Sequence, residues 1–238
     1  MMKVKQKFRR SFNSLYMSSK KYKIKKYLQK FIIDNDHPCL MAQTVVKQKN
    51  IDFDVYTKMN SSVTAQQLLQ NIGNYLNNYD FNRNDFNTYI AVFPYESPYT
   101  EEEFENNLWD LLSLVNRYDP EPWDPTVSSN PQDNNFSFSI QGKAFYVVGM
   151  HPNSSRAARR TKYPLLAFNL HWQFEQLRKH GLYHTVRNDI RSREIERNGS
   201  VNPVLKDFGK ASEALQYSGK NNTDNWTCPF QNSKHESN

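Results

Sequence analysis

The chain has 238 residues, of which 37% are hydrophobic and 14% are aromatic, and its formal net charge is +7. A chain of this length and composition can bury the core of a globular domain, which excludes a wholly disordered protein. Residues 1–30 hold eleven Lys or Arg and no acidic residue, so the remainder holds 20 basic and 24 acidic residues, a net charge of −4. The basic character therefore belongs to the N-terminal segment and not to the body of the chain.

The N-terminal segment, residues 1–34, is predicted to be a flexible, solvated extension. Aromatic residues alternate with its lysines, a pattern that would also suit an arm for nucleic acid, but nucleic acid is not the expected partner. The segment lacks the continuous apolar run of a secretory signal, and nowhere does the chain reach the about 18 apolar residues of a membrane span. We therefore expect a cytoplasmic protein in which Cys39 and Cys228 are not joined by a disulfide.

The first half of the body predicts two helices and a core strand. Residues 62–79 carry an apolar stripe behind a serine N-cap, and Thr100 with Glu103 makes a capping box for a helix that ends near Tyr118. Between the two helices, residues 88–93 form the apolar run of a buried strand.

The centre of the chain predicts a hairpin that ends at a histidine. Residues 136–140 alternate apolar with polar side chains, residues 144–148 are almost wholly apolar, and a Gly-Lys pair between them gives a tight reversal. The second strand leads directly to His151. The proline-rich loop before the hairpin, residues 119–132, is predicted to be ordered, because its Trp123 is a costly side chain to leave in water.

The last third of the chain predicts further helices. Pro164 suits the first turn of a helix that runs to about His180, residues 183–197 read as a charged helix, and residues 211–215 as a short one.

The fold class that we predict is therefore α+β, as a single domain over residues 35–230. In this domain helices cover a small, mainly antiparallel sheet formed by residues 88–93 and 136–148. Residues 231–238 are predicted to be a polar tail.

The residues after the hairpin predict a site for an anionic ligand. His151 is followed by Arg156, Arg159 and Arg160, which share one face if the segment is helical. The planar fork of arginine suits carboxylates and phosphates, and a histidine beside arginines and apolar walls is also compatible with haem. These residues alone do not select haem over a phosphate or carboxylate ligand.

Other catalytic signatures are absent from the sequence, which has no Walker loop, GxGxxG fingerprint, HExxH or CxxC pair. A second histidine, His171, stands four residues before Glu175 and can meet it on a helix surface.

A set of short motifs, in order and at ordinary spacings over roughly residues 35–230, resembles the YqcI/YcgG family. The motifs are His37-Pro38-Cys39, Leu108-Trp109, Pro122-Trp123-Asp124-Pro125, Phe136-Ser137-Phe138-Ser139, Val147-Val148-Gly149-Met150-His151-Pro152, Ser155-Arg156-Ala157-Ala158-Arg159-Arg160, Phe168-Asn169-Leu170-His171, Gln173-Phe174-Glu175, Gly199-Ser200, Asn202-Pro203, Asp207-Phe208-Gly209, Gln216-Tyr217-Ser218-Gly219, Trp226 and Cys228-Pro229-Phe230.

The resemblance implies a haem-dependent N-hydroxylase, because the family members with known chemistry oxidise a guanidino amino acid in the guanitoxin pathway and L-arginine in the D-cycloserine pathway. It implies haem b as cofactor, dioxygen or peroxide as oxidant, and an electron donor if dioxygen is used. The substrate would be a small guanidino or amino compound, and a homo-oligomer is compatible with this chemistry.

Within that resemblance we assign roles as hypotheses. His151 would be the axial ligand of the iron, with His171 as second choice and a thiolate, Cys39 or Cys228, as third. The three arginines, Arg156, Arg159 and Arg160, would hold the haem propionates or the substrate carboxylate. Glu175 or Asp124 would pair with a cationic guanidinium. The alternative function is a non-catalytic protein that binds haem or another small anionic ligand.

Overall fold

A computed structural model describes residues 17–83, 85–97, 99–201, 206–223, 225–230 and 232–233. Residues 1–16 of the predicted extension, the Asn202-Pro203 motif and most of the tail over residues 231–238 lie outside the described residues. The chain divides into two units, residues 1–37 and residues 38–238. In the first unit, residues 17–29 are α-helical (α1) and continue into a π-helical turn, Lys30–Asp34.

The second unit is built on a mixed five-stranded sheet. Its strands are β1 (Ile51–Val55), β2 (Thr88–Val92), β3 (Phe138–Ile140), β4 (Lys143–Met150) and β5 (Leu165–Leu170). Their order across the sheet is β1-β2-β5-β4-β3, and β1 runs parallel to β2 while the other neighbours are antiparallel. The predicted α+β class, the mainly antiparallel sheet and the central hairpin are confirmed.

Helices flank this sheet. They are α2 (Leu40–Lys47), α3 (Ser62–Asn77), α4 (Glu101–Tyr118), α5 (His171–Lys179), α6 (Tyr183–Asn198) and α7 (Ala214–Tyr217). The predictions of α3, α4 and α6 are confirmed, and the capping box is present at α4, where Thr100 Oγ1 accepts from the Glu103 N–H at 3.1 Å. The short C-terminal helix lies three residues beyond its predicted start.

The helix predicted from Pro164 to about His180 is wrong in its first half. Residues Leu165–Leu170 form β5, which lies in the sheet between β2 and β4, and the helix begins only at His171. A central strand is covered on both faces, so its apolar residues do not alternate with polar ones and its pattern matches a buried helix equally well.

The two faces of β4 differ in burial. Phe145 and Val147 point into the main core, where they pack with Phe168 of β5 beneath α3 and α4. The alternate residues Tyr146 and Val148 are only half-buried. We call this second side, with Met150, the open face of β4.

The proline-rich loop is packed by Trp123, as predicted. Its indole meets Phe138 edge-on at 5.5 Å and lies 6.0 Å from the ring of Phe230. The loop is thereby held against the β3 end of the sheet.

Candidate functional site

His151 lies at the end of β4, and its side chain is part of the core. The ring stacks on Phe104 with centroids 4.4 Å apart and an interplanar angle of 23°. The residue is 1% exposed, and within the described residues its Nδ1 has no hydrogen-bond partner. Burial lowers the pKa of His151 more than the charge of Glu101 raises it, so the imidazole is neutral at pH 7.

The three arginines do not form a common face. The segment holds only a 3-10 turn, Ala157–Arg159, so the helical spacing that would align them is not present. Arg156 Nε donates to Glu194 Oε1 at 3.1 Å, in an ion pair that is largely buried. Arg159 Nη1 donates to the Gly149 carbonyl oxygen at 2.9 Å, and Arg160 Nε donates to that of Ser154 at 2.9 Å. Each guanidinium is thus engaged with the protein itself.

His171 is the first residue of α5 and is also buried, at 5% exposure. Its ring centroid lies 4.3 Å from that of Phe208. Nε2 is 3.7 Å from Glu175 Oε1, beyond hydrogen-bonding distance, and has no hydrogen-bond partner in the described part of the chain. Burial lowers the pKa of His171 more than the Glu175 charge raises it, which keeps this ring neutral as well.

The two histidines lie at opposite ends of one strand pair. Met150, next to His151, is opposite Leu165, whereas Leu170, next to His171, is opposite Phe145. At about 3.3 Å per residue this register separates the histidines by about 20 Å along the sheet. They therefore belong to two different sites, and one haem iron could not take both as ligands.

The two candidate carboxylates differ in availability. Asp124 accepts from the Ala144 N–H at 2.8 Å and from the Thr126 N–H at 2.9 Å, which ties the proline-rich loop to β4. Burial works to raise the pKa of Asp124, but the hydrogen bonds from Thr126 and Ala144 together lower it. Glu175 is more accessible, with 46% of its side chain exposed, and it pairs with Arg178.

Sequence reasoning missed a group of ionisable side chains on the open face of β4. Its centre is Tyr146, whose hydroxyl donates to Gln216 Oε1 at 2.7 Å. Burial raises the pKa of Tyr146, and four further side chains act on its phenol electrostatically: Arg159, Glu213, Cys39 and Tyr183. We call these five residues the Tyr146 cluster.

Cys39 occupies the N-cap position of α2. The backbone N–H groups of Ala42 and Met41 and the charge of Arg159 act to lower the pKa of its thiol. Burial outweighs these effects and raises the pKa of the thiol. Burial raises the pKa of the Cys228 thiol to about 12, although a hydrogen bond from the Phe230 N–H lowers it.

Glu213 is the single carboxyl of the Tyr146 cluster. It is buried, and burial raises its pKa to about 8, although hydrogen bonds with Ser137 and Tyr217 and the charge of Arg178 lower it. At neutral pH this group therefore keeps its proton, as is typical of acid–base groups in active sites. Glu175 and Arg178 act on Glu213 as well, so the cluster extends to the residues that surround His171.

The signals for this cluster were only partly visible in the sequence. Cys39, Arg159 and Gln216 stand in the quoted motifs, but Tyr146 reads as an ordinary strand residue and Glu213 as a surface glutamate. Only the sheet register and the positions of α2 and α7 bring them together.

The described structure combines an α+β fold with a half-open sheet face lined by perturbed ionisable groups, as in many ligand-binding proteins and enzymes. The chain belongs to the YqcI/YcgG family, whose family model matches residues 28–231. It is 28% identical over 142 residues to the uncharacterized protein YqcI of Bacillus subtilis, an alignment that covers 57% of this chain and 56% of that relative. No solved structure matches the chain.

Two negative findings concern only the described residues. None of the helices among them is long and apolar enough to cross a membrane. The same residues contain no group of three or more His, Cys, Asp or Glu side chains that could hold a metal ion. A haem iron needs a single axial side chain, so the second finding does not bear on haem.

Proposed function

We propose that this protein is a haem-dependent oxygenase that hydroxylates a guanidine or amine nitrogen of a small, amino-acid-like substrate. Membership of the YqcI/YcgG family and the chemistry that the resemblance implies support this proposal. The structural observation that carries it is the buried Nε2 of His171, which has no hydrogen-bond partner among the described residues. Haem, when bound, supplies an iron that activates dioxygen or peroxide.

His171 would hold the haem iron better than His151 would. A buried polar nitrogen without a partner is costly, and a bond to iron would satisfy it. Phe208 supplies an apolar wall beside the ring, and Arg178 provides a cation nearby, stacked over the Tyr183 ring at 4.2 Å. His151 instead has one face of its ring covered by Phe104.

Cys39 is the thiolate alternative to His171. The backbone N–H groups of Ala42 and Met41 favour the thiolate of Cys39, and a metal ion deprotonates a coordinating thiol. Its position beside Tyr146 places it at the open face of β4.

Glu175 is the residue that we propose for holding a cationic substrate. Its carboxylate is half-exposed and pairs with Arg178, so a guanidinium would compete with Arg178 for it. This role goes with Cys39 rather than His171 as the residue that would hold the iron, because Glu175 lies 3.7 Å from the His171 Nε2. Asp124 has its oxygens occupied by backbone N–H groups and is the weaker choice.

The first test is an absorption spectrum of protein expressed with a haem precursor, before and after dithionite. A stoichiometric Soret band that shifts on reduction is expected. Arginine and other guanidines are then incubated with the loaded protein and an electron donor, or with peroxide, and products that have gained one oxygen atom are sought by mass spectrometry. Protein that stays colourless after haem is added back would refute the proposal, and coloured protein without product would leave a haem-binding protein.

The ligand assignment is tested by three variants and a control. His171→Ala is expected to remove or shift the Soret band, whereas His151→Ala, Cys39→Ser and the exposed-residue control His184→Ala are expected to retain it. Loss of the Soret band only in Cys39→Ser would identify the Cys39 thiolate as the iron ligand. Loss of the band only in His151→Ala would identify His151 as the ligand, as the sequence predicts.

A further inference from the structure

Much of the positive charge of the N-terminal segment lies on one helix. Residues 17–33 contain six lysines and no arginine or acidic residue, and Asp34 is the first acidic residue of the chain. In the structure these residues form α1 and most of the π-helical turn that follows it. The proposed haem chemistry uses none of these lysines, so they need a separate explanation.

The helix separates apolar side chains from charged ones. Its apolar residues recur at the spacing of three and four residues that defines one face of a helix. They are buried, with at most 7% of each residue exposed, and are Ile24, Leu28, Phe31 and Ile32. The opposite side is exposed, and its charged residues are Lys23, Lys25, Lys26 and Lys30. We call these four lysines the lysine face of α1.

Three of these lysines form a stripe along the helix. Lys23, Lys26 and Lys30 are three and four residues apart, which places them on one side over about 10 Å of the helix axis. Within the described residues, Lys23, Lys25 and Lys30 form no ion pair. The Lys26 Nζ lies 5.0 Å from the ring centroid of Tyr22, which is 59% exposed. The described chain therefore leaves the positive charge of this face unneutralised.

The lysine face opposes the helix that carries it. Like charges three or four residues apart destabilise a helix, and the pairs Lys23–Lys26 and Lys26–Lys30 have this spacing. A negatively charged partner would offset this repulsion. The net charge of residues 31–238 is −4, so the rest of the chain would repel the same partner and leave α1 as the point of attachment.

We propose that the lysine face of α1 binds the surface of a membrane that contains anionic lipids. Clusters of about four to eight basic residues on a helix are typical of such binding. A bilayer surface is flat, so the convex side of one helix can lie along it with the whole stripe in contact. The exposed ring of Tyr22 suits the headgroup layer, where tyrosine is enriched in membrane proteins. Because the apolar side of the helix is buried, we expect the helix to adsorb through its charges and not to insert.

Nucleic acid fits this face less well than a membrane surface does. Proteins that bind single strands combine a groove with several aromatic side chains that stack on the bases. The lysine face is convex, and Tyr22 is the one exposed aromatic residue among the described residues of α1. Arginine is the side chain best suited to phosphates and to the edges of bases, and residues 17–33 contain none. Nucleic acid is therefore kept as an alternative outcome of the test.

The test is co-sedimentation of the full chain with large unilamellar vesicles in about 0.1 M NaCl. Vesicles of phosphatidylcholine with about one third phosphatidylserine are compared with vesicles of phosphatidylcholine alone. The protein is expected to bind the anionic vesicles at least about tenfold more tightly than the neutral ones. Binding is expected to be lost when NaCl is raised to about 0.5 M, because salt screens the charges.

Two triple variants connect binding with the lysine face. Lys23→Gln, Lys26→Gln and Lys30→Gln together are expected to weaken binding to the anionic vesicles about a hundredfold, because each lysine near the surface contributes about fivefold. Arginine at the same three positions keeps the charge and is expected to retain the binding.

A third triple variant is the control for net charge. Lys58→Gln, Lys179→Gln and Lys210→Gln together remove the same charge from exposed positions of the second unit, and this variant is expected to bind as the wild type does. All the changed side chains are exposed, so each variant is expected to keep the melting temperature of the wild type.

Several outcomes would overturn this proposal. They are equal binding to neutral vesicles, binding that survives about 0.5 M NaCl or the change to glutamine, a loss in the arginine variant or an equal loss in the control, and no binding at about 1 mM lipid. Tighter binding of a DNA duplex or a single-stranded RNA, measured by fluorescence anisotropy, would overturn it in favour of nucleic acid. None of these outcomes depends on whether the protein carries haem, so the two proposals fail separately.

Discussion

Replacing Gly149 by alanine is expected to destabilise the protein, because β4 packs closely against α4 and against the C-terminal helix α7 at this residue. A Cβ atom on Gly149 would lie 2.7 Å from the Tyr217 carbonyl oxygen, 2.8 Å from Phe104 Cε1 and 3.0 Å from Leu108 Cδ1. The first of these contacts is with backbone, which cannot rotate away as a side chain can. The added methyl must therefore push α7 away from β4.

The size of the effect follows from two opposing contributions. Overpacking of a well-ordered core costs about 1–3 kcal/mol, and contact with backbone places this case at the upper end. Alanine recovers about 0.5–1 kcal/mol of backbone entropy relative to glycine. The net loss in the free energy of unfolding is about 2 kcal/mol, which for a chain of this size lowers the melting temperature by about 4–8 °C.

Thermal and urea unfolding followed by circular dichroism measure this loss. Gly73→Ala is the matched control, since a Cβ there meets the end of the Gln141 side chain, with Oε1 at 3.4 Å and Cδ at 3.8 Å, and the residue lies within α3. That variant is expected to be as stable as the wild type or more stable by up to about 1 kcal/mol. A Gly149→Ala protein with unchanged stability would refute the close packing of β4 against Tyr217 and Phe104.

Three further predictions concern buried ionisable side chains. Glu105→Ala is expected to lose about 3 kcal/mol in urea unfolding, because this buried carboxylate accepts hydrogen bonds from four side chains in residues 218–226. Arg156→Ala is expected to lose a similar amount, about 3 kcal/mol, by leaving Glu194 buried without its partner, and a loss below about 1 kcal/mol would contradict the ion pair's burial. The pKa of Glu213 is raised to about 8, so its proton stabilises the fold most below about pH 4.5 and that stability declines up to about pH 8. Glu213→Gln should flatten this decline in melting temperature, and an unchanged pH profile would contradict the buried carboxyl.

The sequence predicts those elements whose signals are local. The capping box at Thr100 and Glu103 fixes the start of α4, and the alternation in residues 136–140 identifies the hairpin. The strand β5 was missed because its cover on both faces comes from elements that are distant in the chain. Strand β1 pairs in parallel with β2 although the whole of α3 lies between them in the chain, and no local sequence pattern indicates such a pairing.

The candidate site was harder to predict than the fold. The arginines after His151 look available in the sequence, yet their partners are the carbonyl oxygens of Gly149 and Ser154 and the carboxylate of Glu194. Hydrogen bonds to backbone carbonyl groups cannot be recognised in a sequence, and Glu194 lies 38 residues after Arg156 in the chain. Residue type therefore indicates what a guanidinium can bind but not what it binds.

The contrast between the two histidines extends this reasoning to function. His151 directly follows β4, and His171 directly follows β5, its neighbour in the sheet. Both histidines are buried and neutral, and each has one ring nitrogen without a hydrogen bond in the described structure. What separates them is their surroundings, since His151 stacks on the core residue Phe104, whereas the residues near His171 include the charged pair Glu175 and Arg178. A ligand at His151 would have to move Phe104, which is fully buried in the core, whereas a ligand at His171 would move the half-buried Phe208 and a surface ion pair that contributes about 1 kcal/mol or less. Because moving these side chains costs less free energy at His171 than at His151, we propose His171 for this chemistry.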